Sequence, residues 1–345
     1  MKTALKNIFI FLIVIVLVLI SYFVVNKILL SQKASNTNQN NSSNNNDTQT
    51  QKPYKLCISG YYPANYPDYT STDIQNYFDD VNTSSQIYGI HTNYESLQLI
   101  TLSTAYLDSN VSINLVIGTK DNIWKGKEND IVNKLSTELD KHNQIRYVGI
   151  GNEINNSFKQ NSQTYLDFLN AYKKIYTQLK TKYPTLKIYT VFQYELLLGK
   201  GYLTGKVTNK SQVSMVDDFK NYSDLVGLTT YPFFDYKNPK DIPTTYFQPL
   251  EKYKKDILIT ETGWPSKALD NNQTIFNASE DIQLTYLNKL ITIAQKDKNI
   301  ESLCWLGVND LNNWIKGNNN LRIFNNLGLK DEKGVEKEVW KEWNK

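Results

Sequence analysis

The sequence predicts an α/β fold, a (β/α)8 TIM barrel, preceded by a single N-terminal transmembrane helix and a disordered linker. Three observations predict it. Short apolar, β-branched runs recur eight times between residues 55 and 308, with amphipathic stretches of helical length between several of them. Residues 8–25, IFIFLIVIVLVLISYFVV, carry no charge and almost no polar group. Residues 31–52 hold almost nothing that could be buried.

The apolar run comes first in the chain. It is long enough to cross a hydrocarbon core of about 30 Å at about 1.5 Å per residue. Lys2 and Lys6 precede it, as in a signal sequence, but the run is longer than a typical signal core and no small-residue cleavage site follows. An uncleaved anchor over residues 1–30 is expected. Lys27 and Lys33 on its far side blunt the charge asymmetry that sets orientation. The segment 31–52, SQKASNTNQNNSSNNNDTQTQK, cannot offset the entropy of ordering and reads as a disordered tether. Anchor, tether and a domain over 53–345 together describe a single-pass protein of the cell membrane with its large domain outside the cell.

The domain's strands follow in order: KLCIS from Lys55, QIYGI from Gln86, INLVIG from Ile113 and YVGIG from Tyr147. KIYTVF from Lys187, DLVGLTTY from Asp224, ILIT from Ile257 and SLCWLGV from Ser302 complete the eight. Runs apolar on both faces belong to buried parallel strands. SQTYLDFLNAYKKIYTQLKTKY, before the fifth strand, has helical length, as does ASEDIQLTYLNKLITIAQK before the eighth, where Ser279 and Asp281 suit a helix N-terminus. A doubly wound open sheet is the competing topology, but no glycine-rich phosphate turn follows the first strand. GKGYLTGK lacks the P-loop spacing, because Lys206 is followed by Val207.

Composition excludes several function classes. The net charge is +4 and the lysines are scattered, so no basic stripe for nucleic acid exists. Cys57, Cys304, His91 and His142 are too few and too dispersed for a zinc site. The two cysteines are expected as buried free thiols, with their pairing left open.

In a barrel, active residues stand where strands hand over to loops at the C-terminal face. The fourth strand ends in GIGNE and delivers Asn152 and Glu153; the seventh ends in ITETGW and delivers Glu261. Fourth and seventh strands lie across the barrel mouth from one another. Glycosidic bond cleavage needs such a pair: a protonated acid for the leaving oxygen and a carboxylate for the anomeric carbon. Asn152 is placed to bond a sugar 2-hydroxyl, Tyr231 to hold Glu261, and Trp305 to floor the site under a sugar ring. Trp264 either lines the cleft or braces the loop that Pro265 stiffens, and Gln193, ending the fifth strand, is a further substrate-binding candidate. Singly, a strand-end Glu is by default a solvated carboxylate and a strand Trp is core. The two motifs at two particular strand ends carry the reading.

These residues resemble the clan A glycoside hydrolases over residues 54–345, including the closing FNNLGLKDEKGVEKEVW. Within that clan, GIGNE with ETGWPS looks most like glycoside hydrolase family 17, the β-1,3-glucanases and glucanosyltransferases. The resemblance implies Glu153 as acid/base, Glu261 as nucleophile and no metal or organic cofactor. The β-1,4-galactanases of the clan share the GNE strand. In plant-type family 17 members the eighth strand brings an acidic residue and a lysine near the cleft; here the stretch reads CWLGVNDLNNW, with Asn309 and Asp310 in that region. The expectation is a retaining hydrolase of a β-linked polysaccharide, β-1,3-glucan among the candidates. Transglycosylation, β-1,4-galactan cleavage and a non-catalytic carbohydrate-binding envelope protein are the alternatives.

Overall fold

The computed structural model describes residues 54–201, 210–268, 276–316 and 321–345. The expected anchor and linker lie outside the described residues. Among those described, no helix is long and apolar enough to cross a membrane.

Nine parallel strand segments form one sheet: β1 (Lys55–Ser59), β2 (Ile87–Asn93), β3 (Ser112–Gly118), β4 (Ile145–Ile150), β5 (Lys187–Tyr189), β6 (Val191–Gln193), β7 (Val226–Thr230), β8 (Ile257–Thr262) and β9 (Ile300–Leu306). Their order, β5-β4-β3-β2-β1-β9-β8-β7-β6, ends on the two halves of the predicted fifth strand, which breaks at Thr190. The first half pairs with β4 and the second with β7. Thr190 joins them, its carbonyl accepting from Gly227 N at 3.2 Å. The nine segments are therefore eight strands closed into a barrel, as the sequence predicts.

The helices are α1 (Ser71–Ser84), α2 (Gln98–Tyr106), α3 (Glu128–Lys141), α4 (Ile154–Ser157), α5 (Gln163–Lys182), α6 (Tyr194–Leu197), α7 (Glu280–Lys296) and α8 (Glu338–Trp343). Their starts follow capping chemistry. Thr70 and Asp73 make a reciprocal capping box on α1, and Ser162 and Ser279 accept from the third backbone N–H of α5 and α7. Short 3-10 turns, Val213–Phe219 and Gln248–Tyr253, cover the region between β6 and β8.

Two apolar clusters divide the molecule. The larger fills the space between strands and helices. The smaller takes Cys57, Ile87, Val116, Tyr147, Tyr189, Val191, Leu258 and Cys304 from eight of the nine strand segments, with Leu225 from just before β7, and is the filling of the barrel itself. Tyr189 crosses this interior, donating its hydroxyl to Asn114 Oδ1 at 2.5 Å. A Cβ at Gly227 would lie 2.4 Å from the Tyr189 ring, so only glycine fits there.

The expectation of free thiols is corrected. The parallel register of β1 and β9 sets Cys57 opposite Cys304 with both side chains inside the barrel, and the two form a disulfide. Neighbouring strands bring together residues 247 apart in sequence, which no local pattern records.

Candidate active site

Glu153 leaves β4 through a turn that needs two unusual residues. Gly151 has φ +82°, and a Cβ there would come within 2.7 Å of Ile154 and 2.8 Å of Phe168. Glu153 itself sits in the left-handed region at φ 46°, ψ 49°, a strained conformation for a residue with a side chain. The next turn is fixed by Asn155, which trades hydrogen bonds with the backbone of Gln193 (2.8 and 2.9 Å). The Glu153 carboxyl is then held on both oxygens. Thr229 Oγ1 donates to Oε1 at 2.6 Å and Asn156 Nδ2 to Oε2 at 3.0 Å.

Glu261 is aimed by an irregularity. The β7–β8 register runs Leu228↔Ile259 and then Thr229↔Glu261, leaving Thr260 as an extra residue on β8. Such bulges re-aim side chains at barrel rims. The Glu261 side chain is 16% exposed; Tyr231 donates its hydroxyl to Oε2 at 2.8 Å, and His91 Nδ1 lies 2.8 Å from Oε1. Both ring nitrogens of His91 are buried and neither makes a well-aligned hydrogen bond. Thr229 stands between the two acids: its Cα faces that of Glu261 across the strands while its hydroxyl holds Glu153.

The two carboxyls are pushed apart in acidity. Burial, then the nearby Glu261 charge, raise Glu153 above the usual carboxylate range, against the hydrogen bonds from Thr229 and Asn156. Burial also pushes Glu261 up, but the close charge of His91 and the hydrogen bond from Tyr231 outweigh it, leaving Glu261 below its ordinary value. One acid is thus disposed to hold a proton while its neighbour is disposed to be charged.

A third buried carboxyl supports these two. Glu195, at the start of α6, accepts on Oε1 from Thr230 Oγ1 (2.7 Å), Tyr231 N (2.9 Å) and Tyr246 Oη (2.6 Å), and on Oε2 from Gln193 Nε2 (2.5 Å). Burial pushes it up to about 7 against these donors.

The predicted site residues fall into two groups. Glu153, Glu261 and Tyr231 meet at one point, and Asn152 is exposed beside Glu153. Trp305 does not belong with them. It is fully buried on the helix side of β9, its ring 5.9 Å from Tyr286 and 6.1 Å from Trp343, with its indole N–H given to Leu327 O. No face is left for a sugar, because alternate residues of a strand point to opposite sides and the inward place is taken by Cys304. Trp264 is likewise fully buried against Phe233, Phe276 and Tyr286 and braces the loop after β8. Gln193 is buried too: its side chain caps α6 at Leu196 N and meets Glu195. These three are structural rather than substrate contacts.

His91, Thr229, Asn156 and Tyr62, which feels the charge of Glu261, were not singled out from sequence. For His91 and Thr229, their position near the C-terminal ends of their strands was the available signal. Asp310, named from sequence only as lying in the strand-eight region, is engaged in a buried ion pair: it pairs with Lys337 Nζ at 2.8 Å, both side chains 2% exposed, and the lysine also bonds Ser266 and Gly328 O. Among the described residues no cluster of His, Cys, Asp and Glu could hold a metal ion.

Solved structures share this architecture. A family 17 β-1,3-glucanosyltransferase from Rhizomucor miehei is 15% identical, with a TM-score of 0.56 over 82% of this chain and 95% of that one. An endo-laminarinase from Formosa Hel1_33_131 is 15% identical, with a TM-score of 0.57 over 83% and 85%. The β-D-glucuronidase of Dictyoglomus thermophilum is 13% identical, with a TM-score of 0.58 over 84% of this chain and 50% of that one. The chain thus spans about half the length of that enzyme, and of a β-glucuronidase from an uncultured Clostridium. Identities this low speak for the fold alone. No curated protein matches the sequence. The model of glycosyl hydrolase family 53, however, matches residues 128–308, a span that includes both GNE and TETGWPS. With more than half its length matched, and two carboxylates at the expected strand ends, the chain belongs to glycosyl hydrolase family 53.

Proposed function

We propose that the protein is a retaining glycoside hydrolase that cleaves β-1,4-galactan outside the cell, held there by the N-terminal apolar run. The observation that carries the chemistry is the opposed acidity of Glu153 and Glu261, two carboxyls joined through Thr229. Glu261, kept charged by His91 and Tyr231, attacks the anomeric carbon. Glu153 gives its proton to the departing oxygen, and the bond to that oxygen breaks as the glycosyl–Glu261 ester forms. Glu153, now charged, takes a proton from water, whose oxygen displaces Glu261 and restores both groups.

Family membership supports galactan, and the ETGWPS string favours β-1,3-glucan as the second reading. The disulfide in the barrel interior supports an oxidising compartment, and so the outside of the cell.

The test incubates the full-length protein and its Glu261→Gln form with β-1,4-galactan and β-1,3-glucan. New reducing ends and their anomeric configuration are followed by NMR. The expected result is cleavage of galactan by the parent, with the β-anomer appearing first, and a loss of at least about 10²-fold in the variant. Cleavage of glucan alone would move the assignment to the second reading, and longer products without new ends would make the enzyme a transglycosylase. Binding without cleavage by both forms would make the chain a carbohydrate-binding protein. For the anchor, external protease added to whole cells is expected to release the domain; protection would place it inside.

A further inference from the structure

Two of the most exposed large apolar side chains, Trp314 and Leu321 (49% each), stand in the segment after β9, at the rim that carries the catalytic carboxyls. Leu321 borders a cleft, and Trp314 is the chain neighbour of Ile315 in that cleft's lining. Leu321, Ile315, Tyr62 and Phe324 line this cleft, of roughly 230 Å³. That cleft reaches the catalytic centre through two rings: Tyr62 feels the charge of Glu261, and Phe324 packs edge-on to Tyr231 at 4.9 Å. From Tyr62 an aromatic run leads outward. Its ring meets Tyr66 at 5.9 Å and 90°, and Tyr66 meets Trp314 at 5.4 Å and 90°.

The Trp314 turn is held in shape. Asn312 and Asn313 both take positive φ (21° and 53°), and Trp314 N donates to Leu311 O. Asn325 pins both sides of the turn: its carbonyl accepts from Leu311 N at 2.8 Å, and its side chain bonds Ile315 N (3.0 Å) and Ile315 O (3.1 Å). A half-exposed indole on a fixed turn, braced from one side by a perpendicular tyrosine, loses little freedom when something stacks on it.

Resting on the reading of the site as a glycosidase, we propose that Trp314 is a stacking platform for a pyranose ring of the glycan. It would form a subsite at least one sugar removed from the bond being cleaved and make the enzyme prefer long chains. Binding gained there serves the reaction only for substrates long enough to span from Glu261 past Tyr62 to the indole.

The test assays the full-length parent, Trp314→Ala and Trp314→Phe on β-1,4-galacto-oligosaccharides of increasing length and on galactan. Alanine is expected to lower kcat/KM on the longest substrates by roughly tenfold, as loss of a stacked apolar face implies. It should leave the shortest cleaved substrate unchanged, and phenylalanine should recover part of the loss. Equal loss at every length, or none, would overturn the platform. A second measurement separates this proposal from the catalytic reading. Indole fluorescence of full-length Glu261→Gln is titrated with galacto- and β-1,3-gluco-oligosaccharides, with and without Trp314→Ala. Length-dependent quenching that the second substitution abolishes upholds the platform even where the parent cleaves neither glycan. Quenching that survives it, or no quenching with either glycan, overturns it.

Discussion

His91 sets the acidity of Glu261, the proposed nucleophile. Burial alone would raise Glu261, and the imidazole 2.8 Å away is the largest influence in the other direction. The proposed mechanism requires Glu261 ionised and Glu153 protonated, so kcat/KM should follow a bell against pH, its acidic limb set by Glu261 and its alkaline limb by Glu153. Replacing His91 by Ala removes the largest influence that lowers Glu261, leaving the Tyr231 hydrogen bond alone against burial. The acidic limb should therefore move to higher pH, and each unit of movement costs about tenfold in rate on that side. The alkaline limb should move up less, since His91 is the weakest named influence on Glu153. A full pH profile of the variant checks this, and an unmoved acidic limb would remove His91 from the site. The Glu pair was legible in the sequence because GNE and TETGW mark strand ends. His91 was not, because a lone His in a strand looks the same whether or not a carboxylate comes from another strand to meet it.

At the scale of elements, the break in the fifth strand at Thr190 links closure of the barrel to the site. Past the break the chain pairs with β7 and turns at once into α6, which places Glu195 under the end of β7. Through its bonds to Thr230 and to the Tyr231 N–H, Glu195 sets where the Tyr231 hydroxyl meets Glu261. Glu195→Gln keeps the shape but turns an acceptor toward Gln193 into a donor, so kcat should fall several-fold with KM little changed. Its effect on stability should depend on pH. The folded-state value of about 7 lies above the ordinary 4.5, so the stability Glu195 contributes is fully present below about 4.5 and is lost as pH rises through about 7. The gap in unfolding temperature between parent and Glu195→Gln should accordingly shrink or reverse between pH 5 and pH 8; a constant gap would refute the assignment. The strands themselves were legible, since continuous apolar runs belong to strands covered on both faces. The break at Thr190, the extra residue at Thr260 and the outward face of Trp305 were not. Each depends on which neighbour a strand pairs with, and periodicity within one segment carries no such information.

For the molecule as a whole, the C-terminal segment is bound to the barrel by one deeply buried charge pair. Lys337 reaches Asp310 just after β9, Ser266 on the loop after β8, and Gly328 O, so a single ammonium group joins three segments that sequence separates by as many as 71 residues. Burial dominates both partners: it pushes Asp310 up to about 6 despite the lysine, and holds Lys337 below its ordinary value despite the aspartate. A pair in that condition adds little net stability, but breaking it leaves one charge buried alone. Lys337→Met is therefore expected to lose about 3–5 kcal/mol, whereas Lys337→Met with Asp310→Leu should regain much of that loss because no unpaired charge remains. The sign of the pH dependence follows from the same burial. Asp310 ionises in the folded state only near pH 6 even with its partner, so the stability it contributes is complete below about 3.8 and declines as pH rises through about 6. Without the lysine that decline should be steeper, and the deficit of Lys337→Met should be small at pH 5 and large at pH 8. Urea unfolding of parent, single and double variants at those two pH values measures it. A single variant no less stable than the double at pH 8 would show that the segment is held by its apolar contacts, Val339, Trp340 and Trp343, and not by the ion pair.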